Sequence, residues 1–201
     1  MKPLKTLVSL SEISTCSNGF TFRDKPVHIP KGPVRVIQTG DISTSNQINL
    51  ELSLTTSIEI SNQKFILQAD DILFRGRGTI CASVLMPKHK KTMIAASPLI
   101  FIRPDKEQIL PAYLNWVLNS ALAHSFFSKL AQGSTIRSIG IKELLELEIP
   151  LPTLLEQGQI IRVSDCFNKE RLLSKRLAEK KETLLTNLLL KNTALPKRTS
   201  A

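Results

Sequence analysis

Short apolar runs alternate with polar or glycine-containing breaks along the first hundred residues. The runs are rich in β-branched side chains, a pattern that predicts strands. They are VRVIQTGDI (34–42), SIEIS (57–61), KFILQ (64–68), DILFRGRGT (71–79), ICASVLM (80–86) and MIAASPLIFIRP (93–104). Ahead of them, the segment from Leu7 to Ser14 predicts a short helix. The first half of the chain is therefore predicted to be rich in β-structure.

Between Ile109 and Ala131 the apolar positions recur at helical spacing, and Pro111 stands where a first helical turn tolerates proline. A glycine-containing loop follows, and IKELLEL (141–147) then predicts a short helix. The next segment, EIPLP (148–152), has two prolines that suit an edge strand or an extended exit segment rather than a central strand.

A single long helix is predicted from Leu154 to Lys191, about 55 Å in length at about 1.5 Å per residue. Along it, positions three and four apart form a seam of the coiled-coil type, which is interrupted by polar residues that can set register or partner number. The seam consists of Ile160, Val163, Phe167, Glu170, Ser174, Leu177, Lys181, Leu184 and Leu188. The alternative is a helix that packs along its own domain.

These elements predict an α+β fold, in which a β-rich mixed α/β domain precedes a coiled-coil-type helix. The predicted boundaries are 1–153 for the domain, 154–191 for the helix and 192–201 for a disordered tail. A chain of 201 residues suits one domain with an appendage. It contains no apolar run long enough to cross a membrane and no secretory signal pattern.

The formal net charge is +10, and residues 61–140 carry ten Lys or Arg against four acidic residues. A basic patch on a folded domain suggests a polyanion, most often nucleic acid, although a solubilising surface is the alternative. The three cysteines are widely spaced and form neither a disulfide framework nor a zinc pattern, which favours a cytoplasmic protein.

Sequence motifs for catalysis are missing. The N/D-P-P-Y/F loop of amino-methylating DNA enzymes needs adjacent prolines, and no two prolines are adjacent in this sequence. RGRGT supplies only G-x-G of a cofactor turn, and the one E-x-K, which ends at Lys181, lies in the predicted helix. The histidines have no metal-ligand spacing. We therefore expect no enzyme activity, no metal and no cofactor bound by this chain.

Basic and hydroxyl side chains in the predicted loops are the candidates for a DNA-binding surface. Arginine reads guanine through O6 and N7, whereas lysine and hydroxyl groups mostly hold phosphates. The candidates are Arg75, Arg77, Lys88, Lys90, Lys91, Ser134, Thr135 and Arg137. An ordinary solvated hairpin loop is the alternative for the lysines, and neutralisation of Asp70, Asp71 or Glu59 is the alternative for Arg75 and Arg77.

Several segments together resemble the specificity subunit of type I restriction-modification systems. The most specific is QGSTIRSIGIKELLELEIPLPTLLEQGQII (132–161), which joins a short helix, the paired prolines and Glu156-Gln157 at the start of the long helix. Looser similarities are RVIQTGDIS (35–43), ADDILFRGRGT (69–79) and LPAYLNWVLNS (110–120). The resemblance extends over nearly the whole chain.

The resemblance implies a non-catalytic target-recognition domain for double-stranded DNA. Such a subunit guides a methyltransferase (modification) subunit, and in some systems a restriction subunit, to a bipartite site, while S-adenosylmethionine is bound by the methyltransferase partner. The helix is then a spacer that pairs antiparallel with a second one and docks the methyltransferase.

Family members commonly carry two recognition domains, whereas this sequence has one, so a homodimer through the helix is expected. The residues expected at its interface are Ile160, Val163, Phe167, Leu177, Leu184 and Leu188. Two other interpretations remain open: the recognition module of a stand-alone DNA-modifying enzyme, and a coiled-coil interaction protein whose basic face serves solubility.

Overall fold

The structure is a computed structural model that describes residues 6–43, 46–51, 53–60, 62–78, 81–130 and 138–193, with side chains described as far as 191. The chain divides into two compact units, Met1–Gly158 and Gln159–Ala201. Ser134, Thr135, Arg137 and the predicted tail from 194 onwards lie outside the described residues.

The described part of the first unit combines nine strands with four short helices and the start of a fifth. In chain order they are β1 (Thr6–Ser9), α1 (Leu10–Ile13), β2 (Ser14–Asn18), β3 (Val34–Ile37), β4 (Leu54–Thr56), β5 (Ile72–Arg75), β6 (Ala82–Leu85), β7 (Thr92–Ala95), β8 (Ile100–Pro104), α2 (Pro111–Leu118), α3 (Ala121–Leu130), α4 (Ile141–Leu145) and β9 (Glu148–Leu151). The helix α5 runs from Leu154 to Thr193 and continues through the second unit.

Two sheets enclose the main core. The larger sheet is antiparallel with the strand order β2-β8-β5-β6, and the smaller has the order β4-β3-β7, in which β3 and β7 are parallel. Buried side chains from both sheets meet in one cluster, which includes Ile37, Met93, Leu73, Val84 and Phe101. Successive side chains point to opposite faces of a strand, so Met93 and Ala95 of β7 reach this cluster while Ile94 lies in another one.

A second apolar cluster covers another part of the smaller sheet. Val34, Val36, Ile94 and Ala96 are buried in it, and partly buried aromatic side chains pack against them. These aromatics are Phe20, Phe22 and Phe65. The ring of Phe20 meets that of Phe22 edge-on at a centroid distance of 4.9 Å and that of Phe65 at 5.4 Å. The segment after β2 is thereby fixed to the sheet.

The proline-containing strand β9 pairs antiparallel with β1 in a separate two-stranded sheet, with Pro150 opposite Leu7. This edge position accommodates a residue that has no N–H to donate. Directly after β9, the hydroxyl of Thr153 accepts the N–H of Glu156, and the Glu156 carboxylate accepts the N–H of Thr153 at 2.9 Å. This reciprocal cap starts α5.

The predicted fold class, a β-rich α+β domain followed by a long helix, is confirmed, and so are α4 and the long helix. The short helix predicted from Leu7 to Ser14 is present but shorter, because the capping box of Ser9 and Glu12 starts it at Leu10 and β2 begins at Ser14. The helical pattern between Ile109 and Ala131 corresponds to two helices, α2 and α3. Asn119 bonds both backbone groups of Ser83 and ends α2, so α3 begins separately.

Three strand predictions also need correction. SIEIS is wrong, since the strand lies earlier, at Leu54–Thr56, where it pairs with β3. KFILQ begins as a 3₁₀ turn at Gln63–Phe65 and contributes only a bridge from Ile66 to Ile94. The run from Met93 to Pro104 contains two strands of different sheets, separated by a turn with a cis Ser97–Pro98 peptide bond.

The described part of the second unit is the portion of α5 after Gly158. Its residues from Gln159 are mostly exposed, including Val163, Phe167 and Leu177. A helix of forty residues is about 60 Å long at about 1.5 Å per residue. None of the helices in the described part of the chain combines the length and apolarity that a membrane crossing requires.

Candidate nucleic-acid interface

The sequence-predicted DNA-binding residues lie at opposite ends of the β5–β6 hairpin. Arg75 ends β5 and pairs with Ala82, the first residue of β6. At the other end, Met86 donates its N–H to the carbonyl of Asp71 at 2.8 Å, and Lys88, Lys90 and Lys91 follow. Four residue steps at about 3.3 Å each separate these ends by on the order of 13 Å. We call them the arginine end and the lysine end.

Arg75 is half-buried and bonds the arginine end to the turn after β3. Its Nη1 donates to the carbonyl of Ile42 at 3.0 Å, and its Nε is buried without a hydrogen-bond partner among the described residues. The next residue must be glycine, because a Cβ at Gly76 would collide with the carbonyl of Ile139. Arg75 therefore holds the arginine end in position and also contributes positive charge to it.

Arg77 is exposed and forms an isolated antiparallel bridge with Ser138. Its Nε donates to the Ser138 hydroxyl at 3.3 Å, and the N–H of Ile139 donates to the carbonyl of Gly76 at 2.9 Å. Ser138, the first residue described after 130, therefore lies at the arginine end. The predicted residues Ser134, Thr135 and Arg137 lie outside the described residues.

The lysine end carries its own ion pairs. Arg103 makes two hydrogen bonds to the buried carboxylate of Asp71, at 2.8 and 2.7 Å, and that bonding raises the pKa of Arg103. Lys106 pairs with Asp70 at 2.7 Å. The interpretation that Arg75 and Arg77 neutralise these aspartates is therefore wrong. Lys88, Lys90 and Lys91 are exposed at this end.

A cleft at the arginine end contains functional candidates that the sequence reasoning missed. Its volume is about 430 Å³, and it lies between the loop 21–26, Gln38 and Thr39 after β3, and Ala96 and Ser97 after β7. The parallel pairing of β3 and β7 brings their carboxyl ends together there. Phe20 donates its N–H to Ala95 at 2.7 Å and accepts that of Ser97 at 2.9 Å, which fixes the loop beside them.

The cleft offers several kinds of polar group. Arg23, Asp24 and Lys25 are exposed, and the ion pairs found among the described residues involve none of them. On the opposite wall, the Asp41 carboxylate accepts the N–H of Gln38 at 2.8 Å and so fixes the turn. Burial raises the pKa of Asp41, and the Gln38 hydrogen bond and the charge of Arg35 oppose that rise. The consecutive charged residues Arg23, Asp24 and Lys25 are a sequence signal that could have identified this loop as a candidate.

The described residues contain no cluster of three or more His, Cys, Asp or Glu side chains that could hold a metal ion. Among the thiols, burial raises the pKa of Cys16 to about 12, although a hydrogen bond with Ser14 partly opposes the rise. Because the thiolate is the reactive form, Cys16 is an inert packing residue.

The predicted seam on α5 is largely exposed. The exposed fraction is 65% for Phe167, 55% for Leu177 and 60% for Leu184, whereas Ile160 is partly buried. Further apolar side chains, outside the predicted seam, are also exposed, and the prediction missed them. They are Leu172, Leu173, Leu185, Leu189 and Leu190. Exposed apolar side chains at this density indicate a surface that another helix or protein covers.

Three solved structures that are similar to this chain come from type I restriction-modification systems. The HsdS subunit from Thermoanaerobacter tengcongensis matches with a TM-score of 0.71 and 18% identity over 94% of this chain and 43% of that chain. A chain from a study of complex assembly and conformational transition in the type I system matches with a TM-score of 0.68 and 21% identity, over 94% and 44% of the two chains. The S subunit from M. genitalium matches with a TM-score of 0.57 and 20% identity, over 88% and 42%.

A curated relative is the Methanocaldococcus jannaschii protein named as the specificity subunit of the type I restriction enzyme MjaX. It is 35% identical over 71 residues, which is 35% of this chain and 17% of that protein. The chain thus spans less than half the length of the relatives and structures that it matches. Residues 4–181 match the model of the type I restriction modification DNA specificity domain. The chain therefore belongs to the type I restriction-modification DNA specificity family.

Proposed function

We propose that this chain recognises a specific sequence in double-stranded DNA and guides a type I methyltransferase to it. The observation that carries the proposal is the match of residues 4–181 to the DNA specificity domain. The net charge of +10 supports it, because neutralisation of phosphates supplies much of the affinity of any DNA-binding protein.

The arginine end is the surface that we assign to DNA. It combines the exposed Arg77 with the cleft between the loop 21–26 and the turn after β3. The bond from Arg75 to the carbonyl of Ile42 joins the two parts into one surface. Of the side chains predicted from the sequence, Lys88, Lys90 and Lys91 lie at the other end of the hairpin, so we assign them at most to phosphates outside the specific contacts.

The chain acts without chemistry of its own in this proposal. Its sequence has no N/D-P-P-Y/F loop, and a methyltransferase that modifies a base must hold it outside the stack. The methyltransferase partner supplies that site together with S-adenosylmethionine. In systems with a restriction subunit, the same complex directs cleavage.

We assign the exposed seam of α5 to a second copy of this helix, paired antiparallel. One antiparallel register places Glu170 opposite Lys181 of the second copy. Because seam positions are spaced regularly, this register also places Phe167 opposite Leu184 and Val163 opposite Leu188. Apolar pairs then lie on both sides of an attractive charge pair. In a parallel pair, Glu170 would instead face Glu170 and Lys181 would face Lys181, and these like charges repel. A dimer built in this way reads two inverted half-sites.

Selection from random DNA duplexes tests the function directly. The purified chain, alone and with its methyltransferase partner, is mixed with a random duplex library, and bound duplexes are sequenced. We expect one enriched motif, whose affinity decreases as the salt concentration rises. Binding without any enriched motif, in the presence of the partner, would contradict the proposal.

A further inference from the structure

We propose that the cleft at the arginine end is a base-reading site, in which Arg23, Asp24 and Gln38 contact base edges in the major groove. The inference rests on the proposed DNA recognition and adds the residues that would determine the sequence read. The cleft lies in the first unit, and every residue lining it is described.

The walls of the cleft are fixed before any ligand arrives. On one side, Phe22 packs against Phe20, which in turn packs against Phe65 and bonds the backbone of Ala95 and Ser97. On the other side, the Asp41 carboxylate accepts the N–H of Gln38, and the N–H of Asp41 donates to the carbonyl of Gln38 at 3.0 Å. Side chains mounted on such supported backbone lose less conformational freedom when they bind.

The exposed carboxylate of Asp24 distinguishes base reading from phosphate binding. A site that binds only phosphates gains nothing from an exposed carboxylate between Arg23 and Lys25, because the negative charge of that carboxylate repels the phosphates of DNA. A carboxylate does accept hydrogen bonds from the amino group of cytosine, while arginine reads guanine and glutamine reads adenine. The cleft thus presents three different base-reading chemistries side by side, and Asp24 makes no ion pair among the described residues.

The turn after β3 leaves room for a close approach of DNA at Gly40. A Cβ built on it would meet no described atom within 4 Å, and its backbone does not lie in the left-handed region. Neither packing nor conformation within the described structure therefore requires glycine in this turn. Glycine at this position would admit a ligand surface close to the backbone, which a larger side chain would obstruct.

The test compares single variants on the motif selected by the wild-type chain. Arg23→Ala, Asp24→Asn and Gln38→Ala are titrated with the selected duplex and with every duplex that differs from it by one base pair. For at least one variant we expect discrimination to fall at one position by roughly 5- to 160-fold and to persist elsewhere. Lys25→Gln is the matched control, which should lower affinity for all duplexes alike and reduce the salt slope by about 0.9.

Unfolding curves confirm that each variant folds, which is expected because all four side chains are outside the buried core. If the wild-type chain selects a motif and all three variants keep its preference at every position, the cleft does not read bases and the inference is wrong, although DNA recognition stands. If the wild-type chain selects no motif even with its partner, the proposed function itself fails.

Discussion

Gln157, in the first turns of α5, accepts the backbone N–H of Leu110 through its side-chain oxygen at 2.7 Å. Its side-chain nitrogen donates to the carbonyls of Gln108 and Pro152, at 3.2 and 2.9 Å. The side chain is completely buried, so one residue bonds the start of α5 to the entry of α2 and to the end of the proline segment. This is a physical reason for glutamine after Glu156.

Gln157→Ala is expected to destabilise the first unit. It removes the hydrogen-bond partner of three backbone groups in part-buried hydrogen bonds, and each such group that water does not reach costs about 1–3 kcal/mol. Denaturation by urea, followed by circular dichroism, measures the change. Gln159→Ala, at an exposed position two residues later, should change the stability by less than about 0.5 kcal/mol. Equal effects of the two substitutions would contradict the anchoring role of Gln157.

Arg103→Met is expected to lower the free energy of unfolding by about 3–5 kcal/mol, because it leaves the carboxylate of Asp71 buried without its cation. Asp71 is only 1% exposed. Lys106→Met removes the partner of Asp70 in an exposed pair, and there we expect a change of about 0–1 kcal/mol. Thermal or chemical unfolding of both variants measures the two losses of stability. A similar loss in the two variants would show that the burial of Asp71 does not increase the cost of removing its partner.

Gly40→Ala tests whether DNA approaches the turn after β3. The free protein should unfold like the wild type, because the added methyl group meets no described atom, whereas affinity for the selected duplex should fall. Gly158→Ala is the control in α5, where the added methyl group makes an ordinary contact with Leu110. Helix propensity should make that variant more stable by about 0.5–1 kcal/mol, without changing DNA affinity. Undiminished affinity in Gly40→Ala would place DNA away from this turn.

Charge reversal tests the antiparallel pairing of α5. Glu170→Lys should weaken the dimer, because the lysine introduced in each variant helix would meet Lys181 of the other. Adding Lys181→Glu should restore dimerisation, since the attractive pair re-forms with its signs exchanged. Sedimentation analysis gives the dimer dissociation constants. A double variant that is no tighter than the single one would exclude this register.

Apolar substitutions separate the seam from the other exposed leucines. Leu177→Asp with Leu184→Asp should give monomers in light scattering, while the first unit keeps its unfolding transition. The matched pair, Leu185→Asp with Leu189→Asp, changes two similarly exposed leucines outside the predicted seam and should leave the dimer intact. Monomers from the matched pair alone would move the interface to that second set.

The thiols should differ in reactivity because of the environment of Cys16. Burial holds its pKa at about 12, so it remains a thiol at pH 8 and reacts slowly with iodoacetamide, whereas the exposed Cys166 is accessible. Since the pKa is raised in the folded state, protonated Cys16 stabilises the fold below its ordinary value of about 8.5, and this contribution is lost as pH rises towards 12. Mass spectrometry of the labelled peptides, before and after unfolding, measures the protection.

Local sequence signals were sufficient for some elements and not for others. The long helix was predictable because no proline interrupts it and its start carries a reciprocal cap at Thr153 and Glu156. The prolines of β9 indicated an edge strand, but its partner β1 lies more than a hundred residues away. No local pattern encodes such a pairing. The short helix α1 was overextended because apolar residues at Leu7 and Val8 belong to a strand.

The candidate site was even harder to predict from local sequence patterns, because it also depends on pairings between distant residues. Arg75 and the lysines near residue 90 are close in sequence and basic, so the sequence favoured one shared surface. A tight antiparallel hairpin instead sends them to opposite ends. Conversely, Arg23 and Gln38 come together only because β3 and β7 pair in parallel and Phe20 bridges to Ala96. That juxtaposition depends on long-range topology.

Sequencing of DNA methylation in the cells that make this protein, with and without its gene, tests the central claim most directly. The account predicts that methylation at one bipartite motif with inverted half-sites disappears when the gene is deleted. Methylation at that motif should return with the wild-type gene, and the Arg77→Ala variant should methylate a broader set of sites. An unchanged methylation pattern after deletion would contradict the claim that this chain selects the DNA sequence.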